Sequence, residues 1–188
     1  MSSQREFDGL VDQFYPRIRR AALVMTGSGW DADDLAQETF VQALKGIDRF
    51  RGDSSIETWL YAILINQERK WRRSKGRQGK LKEIWNDLWR RQPDHPATDE
   101  VEAKEWFATI WKHVAELPEA QRHAMILRYS EDLPVQEIAD VCNCPAGTIK
   151  SRLHHGLKSL KEKCRGMQSG QFTSNLSDLQ RQTVESPA

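Results

Sequence analysis

The sequence predicts an all-α protein, two small helical domains joined by a linker, and three observations carry that prediction. Apolar residues recur at three- and four-residue spacing through most of the chain. No stretch sustains the period-two alternation of a half-buried strand, and β-branched runs are absent. The helical stretches fall into two groups, separated by Arg91 to Glu100, RQPDHPATDE, whose prolines and acids are those of a linker. The expected units are a first domain over residues 1–78, a linker over 79–104, a second domain over 105–165 and a disordered Gly-, Ser- and Gln-rich tail over 166–188.

Taken in order, Phe7, Leu10, Val11, Phe14, Ile18, Ala21, Ala22 and Met25 make one long amphipathic helix, with Pro16 inside it and a stop at Thr26-Gly27. A second helix starts after Trp30. Asp31 has the chemistry of an N-cap, Asp33 and Asp34 suit the first turn, and Leu35, Ala36, Phe40, Ala43, Leu44 and Ile47 form the expected inner face. A polar loop, DRFRGDSS, leads to a third helix from about Ile56 to Arg73, with Leu60, Ile63 and Leu64 inward. Leu81, Ile84, Trp85, Leu88 and Trp89 sit at helical spacing and predict an amphipathic helix that docks on its own chain or in a partner's groove. From Glu105, the residues Trp106, Phe107, Ile110, Trp111 and Val114 give a broad apolar face that Leu117-Pro118 stops. Pro118-Glu119 then starts a helix through Ala124 and Leu127 to about Glu131.

The stretch Pro134 to Leu160 reads as two short helices. Val135, Ile138, Ala139 and Cys142 give the first an apolar stripe; Asn143 suits the left-handed turn that ends it, and Pro145 prevents it from running on. Ile149, Leu153, Leu157 and Leu160 line the second, leaving Thr148, Lys150, Ser151, Arg152, His154 and His155 on its other faces. This is a helix-turn-helix, and its ordinary alternative is an αα-corner with solvated polar residues. The charge pattern favours DNA: from Pro145 to Arg165 only Glu162 opposes Lys150, Arg152, Lys158, Lys161, Lys163 and Arg165.

A formal net charge of +1 conceals this segregation. Arg69 to Lys82 is basic and contains no acid, whereas the stretches on either side are net acidic. Two basic patches between acidic helices point to one polyanion gripped at two places. The third helix interleaves Trp59, Tyr61 and Trp71 with Asn66 and a basic end at Arg69, Lys70, Arg72 and Arg73, the composition of a surface that stacks unpaired bases. Ordinary packing of the aromatics and dipole-complementing arginines at a helix end account for the same residues.

Other classes recede. With 29% charged residues and no apolar run of spanning length, a membrane protein is not expected. The start MSSQREFDGL lacks the pattern of a secretory signal, so the chain is expected in the cytoplasm. Three cysteines make a disulfide framework improbable. Cys142 and Cys144, with His123, His154 and His155 in the same domain, are conceivable zinc ligands. The reading preferred is that of small semi-apolar residues in a stripe and a turn, with no metal and no cofactor. No paired carboxylates or nucleophile constellation suggests an enzyme.

Three motifs, DADDLAQETFVQALK, FRGDSSIETWLYAILINQERKWRR and EIADVCNCPAGTIKSRLHHGLKSLK, occur in an order that resembles the extracytoplasmic-function (ECF) sigma factors of bacterial RNA polymerase. The resemblance covers most of residues 7 to 163 and implies that the two domains are sigma regions 2 and 4, which read the minus-ten and minus-35 promoter elements. It implies that Asp33, Asp34, Gln37, Glu38 and Thr39 dock on the clamp coiled coil of core RNA polymerase. Arg51, Asp53, Ser54 and Ser55 fall in the loop that holds a flipped minus-ten base, and Asn66 bonds DNA nearby, with Trp59, Arg69 and Lys70 on the same helix. Thr148, Lys150, Ser151, His154 and His155 fall where the recognition helix meets minus-35 DNA, with Arg152 on phosphate. The two histidines and the Trp85–Trp89 helix depart from the family's pattern. Partners implied are core polymerase, promoter DNA and an anti-sigma factor; the competing reading is a stand-alone helix-turn-helix regulator.

Overall fold

The computed structural model describes residues 2–75 and 109–164, and all regular structure in them is helical. The expected Leu81–Trp89 helix, the linker, Trp106, Phe107 and the tail lie outside the described residues. In chain order the elements are α1 (Ser2–Thr26), α2 (Gly29–Gly46), a 3-10 turn (Ile47–Arg49), α3 (Ile56–Lys75), a helical segment over 109–115, α4 (Glu119–Tyr129), α5 (Val135–Cys142) and α6 (Ala146–Lys163).

The first domain is α1, α2 and α3 around one core. Phe14, Ile18, Ala21, Ala22 and Met25 from α1 meet Ala32, Leu35, Ala36, Phe40 and Ala43 from α2 and Leu60, Tyr61, Leu64 and Ile65 from α3. The small residues on α1 and α2 let the two helices approach closely, and among the described residues these two pack on each other most extensively. At the α2–α3 crossing Gly46 performs the same task, since a Cβ there would sit 3.2 Å from the Trp59 ring.

Helix ends follow local chemistry. Gly27 takes φ 67, a left-handed conformation that glycine adopts without steric cost, and its N–H closes on the Leu23 carbonyl at 2.8 Å. The cap of α2 is Ser28, not Asp31 as expected from sequence: the Asp31 N–H donates to Ser28 Oγ at 3.3 Å, which puts Asp31 in the first turn. The helix therefore starts earlier, because a serine in extended conformation directly after the glycine turn satisfies the free N–H groups first.

The second domain packs Ile110, Trp111 and Val114 with Ala124 to Leu127 of α4, Val135, Ile138, Ala139 and Val141 of α5, and Ile149, Leu153, Leu157 and Leu160 of α6. Helix α4 ends at Tyr129, two residues before the expected limit, and Asp132 takes φ 56 in the turn that follows. Asn143 caps α5 at φ 49, ψ 55, and the Cys144 N–H reaches back to the Ala139 carbonyl at 3.0 Å. The predicted left-handed asparagine turn is thus present, and α6 begins directly after Pro145.

The two domains also touch. Helix α3 lies against α5, and α1 against α4. Among the described residues no helix is long and apolar enough to cross a membrane.

Candidate nucleic-acid interface

Helix α6 is the simplest surface to build. Its buried side, Ile149, Leu153, Gly156, Leu157 and Leu160, is fixed against α4 and α5. Gly156 sits so near Met125 that a Cβ would lie 3.0 Å from its Cγ, which brings α6 tight onto α4. With that face spent on packing, Lys150, Ser151, His154 and His155 are all exposed, Thr148 is half-exposed, and the two histidine rings meet edge to face at 5.6 Å. Arg152 is partly buried and donates from Nη1 to Cys144 Sγ at 3.4 Å, which ties α6 to the turn before it. The structure therefore brings all six predicted α6 residues onto one helix, five of them open to a ligand.

The turn cysteines are packing residues of this motif. Burial pushes the Cys142 thiol up to about 11, and the neighbouring Cys144 adds to the shift, so Cys142 carries little thiolate at neutral pH. Among the described residues no group of three or more His, Cys, Asp or Glu is placed to hold a metal.

Helix α2 presents a second surface. Asp34, Gln37 and Glu38 are exposed, with Gln42 donating to Glu38 at 2.7 Å. One predicted docking residue, Thr39, is placed inward, and another, Asp33, has a partner within the chain. Thr39 is fully buried and its hydroxyl donates to the Leu35 carbonyl at 2.8 Å, because position 39 falls beside Ala36, Phe40 and Ala43 on the inner face. Asp33 is held by the Arg19 guanidinium in a two-pronged pair, so its carboxylate is committed within the chain. Leu44, expected inward, is 47% exposed; with Trp30 at 87% and Val41 at 44% it puts apolar surface along the face that carries Asp34 and Gln37. The signal was available in the spacing: positions 30, 34, 37, 41 and 44 step around one side of a helix.

The third surface is the loop before α3 and the helix itself. Arg51 and Asp53 are exposed around Gly52 at φ 75. Ser55 has a structural duty besides any contact: its Oγ accepts from the Thr58 N–H at 3.0 Å, capping α3, while Ser54 lies half-buried beside it. Trp59 is half-buried against Phe50, ring centroids 5.2 Å apart. Tyr61 is core, not a base platform. Its hydroxyl donates to Glu131 at 2.7 Å, and burial followed by the Glu131 charge raises its pKa far above the usual tyrosine value. Asn66 and Lys70 are exposed, whereas Arg69 donates to Glu119 at 2.8 Å and to Asn66 Oδ1 at 3.4 Å.

Sequence reasoning missed a set of buried polar residues between the domains. Glu68 lies opposite His123, Oε2 to Nε2 3.0 Å, and accepts from Arg122 at 3.4 Å and from Arg72 of its own helix. Burial by itself would raise the Glu68 carboxyl; the His123 hydrogen bond and the charges of His123, Arg72 and Arg122 outweigh it and hold the group at about 2. Glu131 accepts from Arg20 at 2.9 and 3.2 Å and from Tyr61 at 2.7 Å. The clue was positional, since Glu68 continues the stripe of Leu60 and Leu64 and therefore faces inward.

Known families match the two domains in the same order. Residues 10–78 match the Sigma-70 region 2 family and residues 108–160 the Sigma-70 region 4 family. The RNA polymerase sigma-H factor of Pseudomonas aeruginosa is 32% identical over 165 residues, which cover 84% of this chain and 85% of that protein. The chain belongs to the extracytoplasmic-function family of RNA polymerase sigma factors. The ECF RNA polymerase sigma-E factor of Escherichia coli K12 is 30% identical over 177 residues, covering 85% of this sigma factor and 87% of the relative. Among solved structures, the sigma factor RpoE of Bartonella quintana in complex with the anti-sigma factor NepR aligns at TM-score 0.63 and 26% identity, over 87% of this chain and 99% of that one. CnrH in complex with the cytosolic domain of CnrY aligns at TM-score 0.63 and 22% identity and shares the fold, over 88% of this chain and 91% of that one.

Proposed function

We propose that this sigma factor acts in the cytoplasm as a promoter-specificity subunit, with three surfaces dividing the work and no catalytic step of its own. Core RNA polymerase docks on α2 through Asp34, Gln37 and Glu38, where exposed carboxylates offer directional charge and Trp30, Val41 and Leu44 add apolar area. Helix α6 enters the major groove of the minus-35 element. There Lys150, Ser151, His154 and His155 reach base edges, and Arg152 meets phosphate. The Arg51–Ser55 loop and Asn66 capture a base extruded from the minus-ten element, with Trp59, Arg69 and Lys70 beside them.

The observation that carries this reading is the α6 surface: a helix whose apolar face is wholly used in packing and whose free faces hold cations and hydrogen-bonding groups with almost no acid. Control by an anti-sigma protein is part of the proposal, supported by the Bartonella quintana relative that was solved with the anti-sigma factor NepR.

Transcription reconstituted from core polymerase and this chain tests the whole. Initiation at discrete promoters is expected only when both are present. Tight binding to a duplex operator without polymerase would instead make the chain a stand-alone regulator. Within the same assay, Asn66→Ala should slow open-complex formation and leave the affinity for core polymerase unchanged; equal loss of both sinks the minus-ten assignment.

A further inference from the structure

Two imidazoles stand side by side on a helix whose other ionisable groups are nearly all bases. His154 and His155 are both exposed, their rings meet edge to face at 5.6 Å, and among the described residues neither ring has a hydrogen bond or an ion pair. Lys150 lies one turn before His154 and Lys158 one turn after it, while the only acid of α6 is Glu162, near its end. The acids of the elements packed around α6 have partners elsewhere. Glu119 takes Arg69, Glu137 takes Thr58, Glu131 takes Arg20, and Glu116 takes Lys163 and His113. The bases are engaged as well, Arg122 and His123 with Glu68 and Arg128 with the Leu133 carbonyl. Lys112 on the 109–115 segment, Asp132 in the α4–α5 turn and Asp140 near the end of α5 are exposed. His154 lies eight residues into α6, about 12 Å of helix from the α5–α6 turn beside which Asp140 stands.

This surface holds a charge that acidity can change. Histidine is the side chain whose ordinary titration falls between about pH 5 and 8, whereas lysine and arginine keep their charge throughout that range. In the free chain no carboxylate bonds either ring and so none rewards a proton there. Duplex DNA does: its phosphates favour the charged form, and an imidazolium donates from both ring nitrogens, to a phosphate oxygen or to the N7 and O6 acceptors of guanine. Like charges on rings this close oppose each other, so the pair gains about one proton, not two.

We infer that binding of minus-35 duplex is coupled to uptake of about one proton by the His154–His155 pair, so that upstream promoter recognition by this sigma factor strengthens as the pH falls from about 8 toward about 6. The inference rests on the reading of α6 given under the proposed function and adds the regulation of that site. Its sign follows from linkage: a group protonated more readily on DNA than off it contributes affinity that is fully present below its free-state titration and is lost as the pH rises through its bound-state titration.

Anisotropy of a fluorescein-labelled duplex carrying the minus-35 element of a promoter mapped with this protein, bound by holoenzyme at about pH 8 and about pH 6 over a range of salt, tests it. If DNA favours the imidazolium by about one pH unit, the parent gains about fivefold in affinity at the lower pH, under a ceiling of about tenfold. One more neutralised phosphate also steepens the logarithmic salt dependence by about 0.9. His154→Gln with His155→Gln keeps hydrogen-bonding side chains that do not titrate, at two exposed positions, and should lose both the gain and the steepening. His154→Arg with His155→Gln fixes one charge and should hold at the higher pH the affinity that the parent reaches only at the lower one. An equal gain in the parent and the double glutamine variant overturns the proton uptake. Lys150→Ala separates the two readings. If it weakens binding while that equal gain persists, only the proton uptake falls; if it and the double glutamine variant both bind duplex as the parent does at each pH, the α6 assignment falls with it.

Discussion

The two helices proposed to meet DNA, α6 and α3, both carry exposed basic and hydrogen-bonding side chains and meet opposite fates. Helix α6 keeps Lys150, Ser151, His154 and His155 in solvent, whereas on α3 Arg69 is paired with Glu119 and the nearby Thr58 with Glu137. The difference lies in what backs each helix. The α6 stripe is satisfied within its own domain, by α4 and α5. On α3 the stripe of Leu60, Leu64 and Tyr61 continues into Glu68, which draws partners from α4 as well as Arg72 from its own helix. A helix with a fully apolar inner face leaves its outer face to a ligand; one with a buried carboxylate recruits a neighbour that also covers the outer face.

Removing the buried acid gives the largest expected effect. Glu68→Ala leaves Arg122 and His123 facing a void, a change of the kind that costs about 3–5 kcal/mol for a buried ion pair. Calorimetry is expected to show a lower transition, or two where the parent has one; an unchanged midpoint breaks the contrast between the helices. Acid acts on the same group. Because the folded-state Glu68 carboxyl is depressed to about 2 from 4.5, its contribution to stability is fully present above about pH 4.5 and fades as the pH falls toward 2. The groups facing it are the His123 imidazole and the Arg122 guanidinium from α4 and the Arg72 guanidinium from α3. Calorimetry across that window should show a falling midpoint in the parent and a smaller change in Glu68→Gln.

On the open helix the expected effects are smaller and concern binding. Lys150→Ala should weaken minus-35 duplex recognition by holoenzyme by about 1–3 kcal/mol, with loss of discrimination at one base pair if Lys150 reads an edge. A uniform loss across sequences with a shallower salt slope assigns it to phosphate instead. At the turn, Asn143→Val places a β-branched residue at φ 49, and the strain of about 1–2 kcal/mol should appear as lower stability and poorer duplex binding together. Retained stability with that substitution would mean that the turn between α5 and α6 relaxes more easily than its capping bonds suggest.

Much of this was legible in local pattern. The periodicity of Ile149, Leu153, Leu157 and Leu160 placed the α6 face correctly because a helix surface depends on spacing alone once one side is buried. Asn143 was readable for the same kind of reason, since few residues other than glycine accept its backbone conformation. The misreadings involve neighbours distant in sequence or a choice between adjacent candidates. Asp31 lost the cap of α2 to Ser28, which the glycine turn delivers first. Thr39 matched a motif, but its position on the helix sends it inward.

The sequence by itself determined the helices, the helix-turn-helix and the segregation of charge, because each depends on residues within a few positions of one another. Only the tertiary structure decided which polar residues remain available. Glu68 is linked to His123, Tyr61 to Glu131 and Arg69 to Glu119 across 55, 70 and 50 positions, and no local pattern foretells which acid a packed helix will bring to which base. Burial then makes these pairings strong, since a charge removed from water must find its partner within the protein.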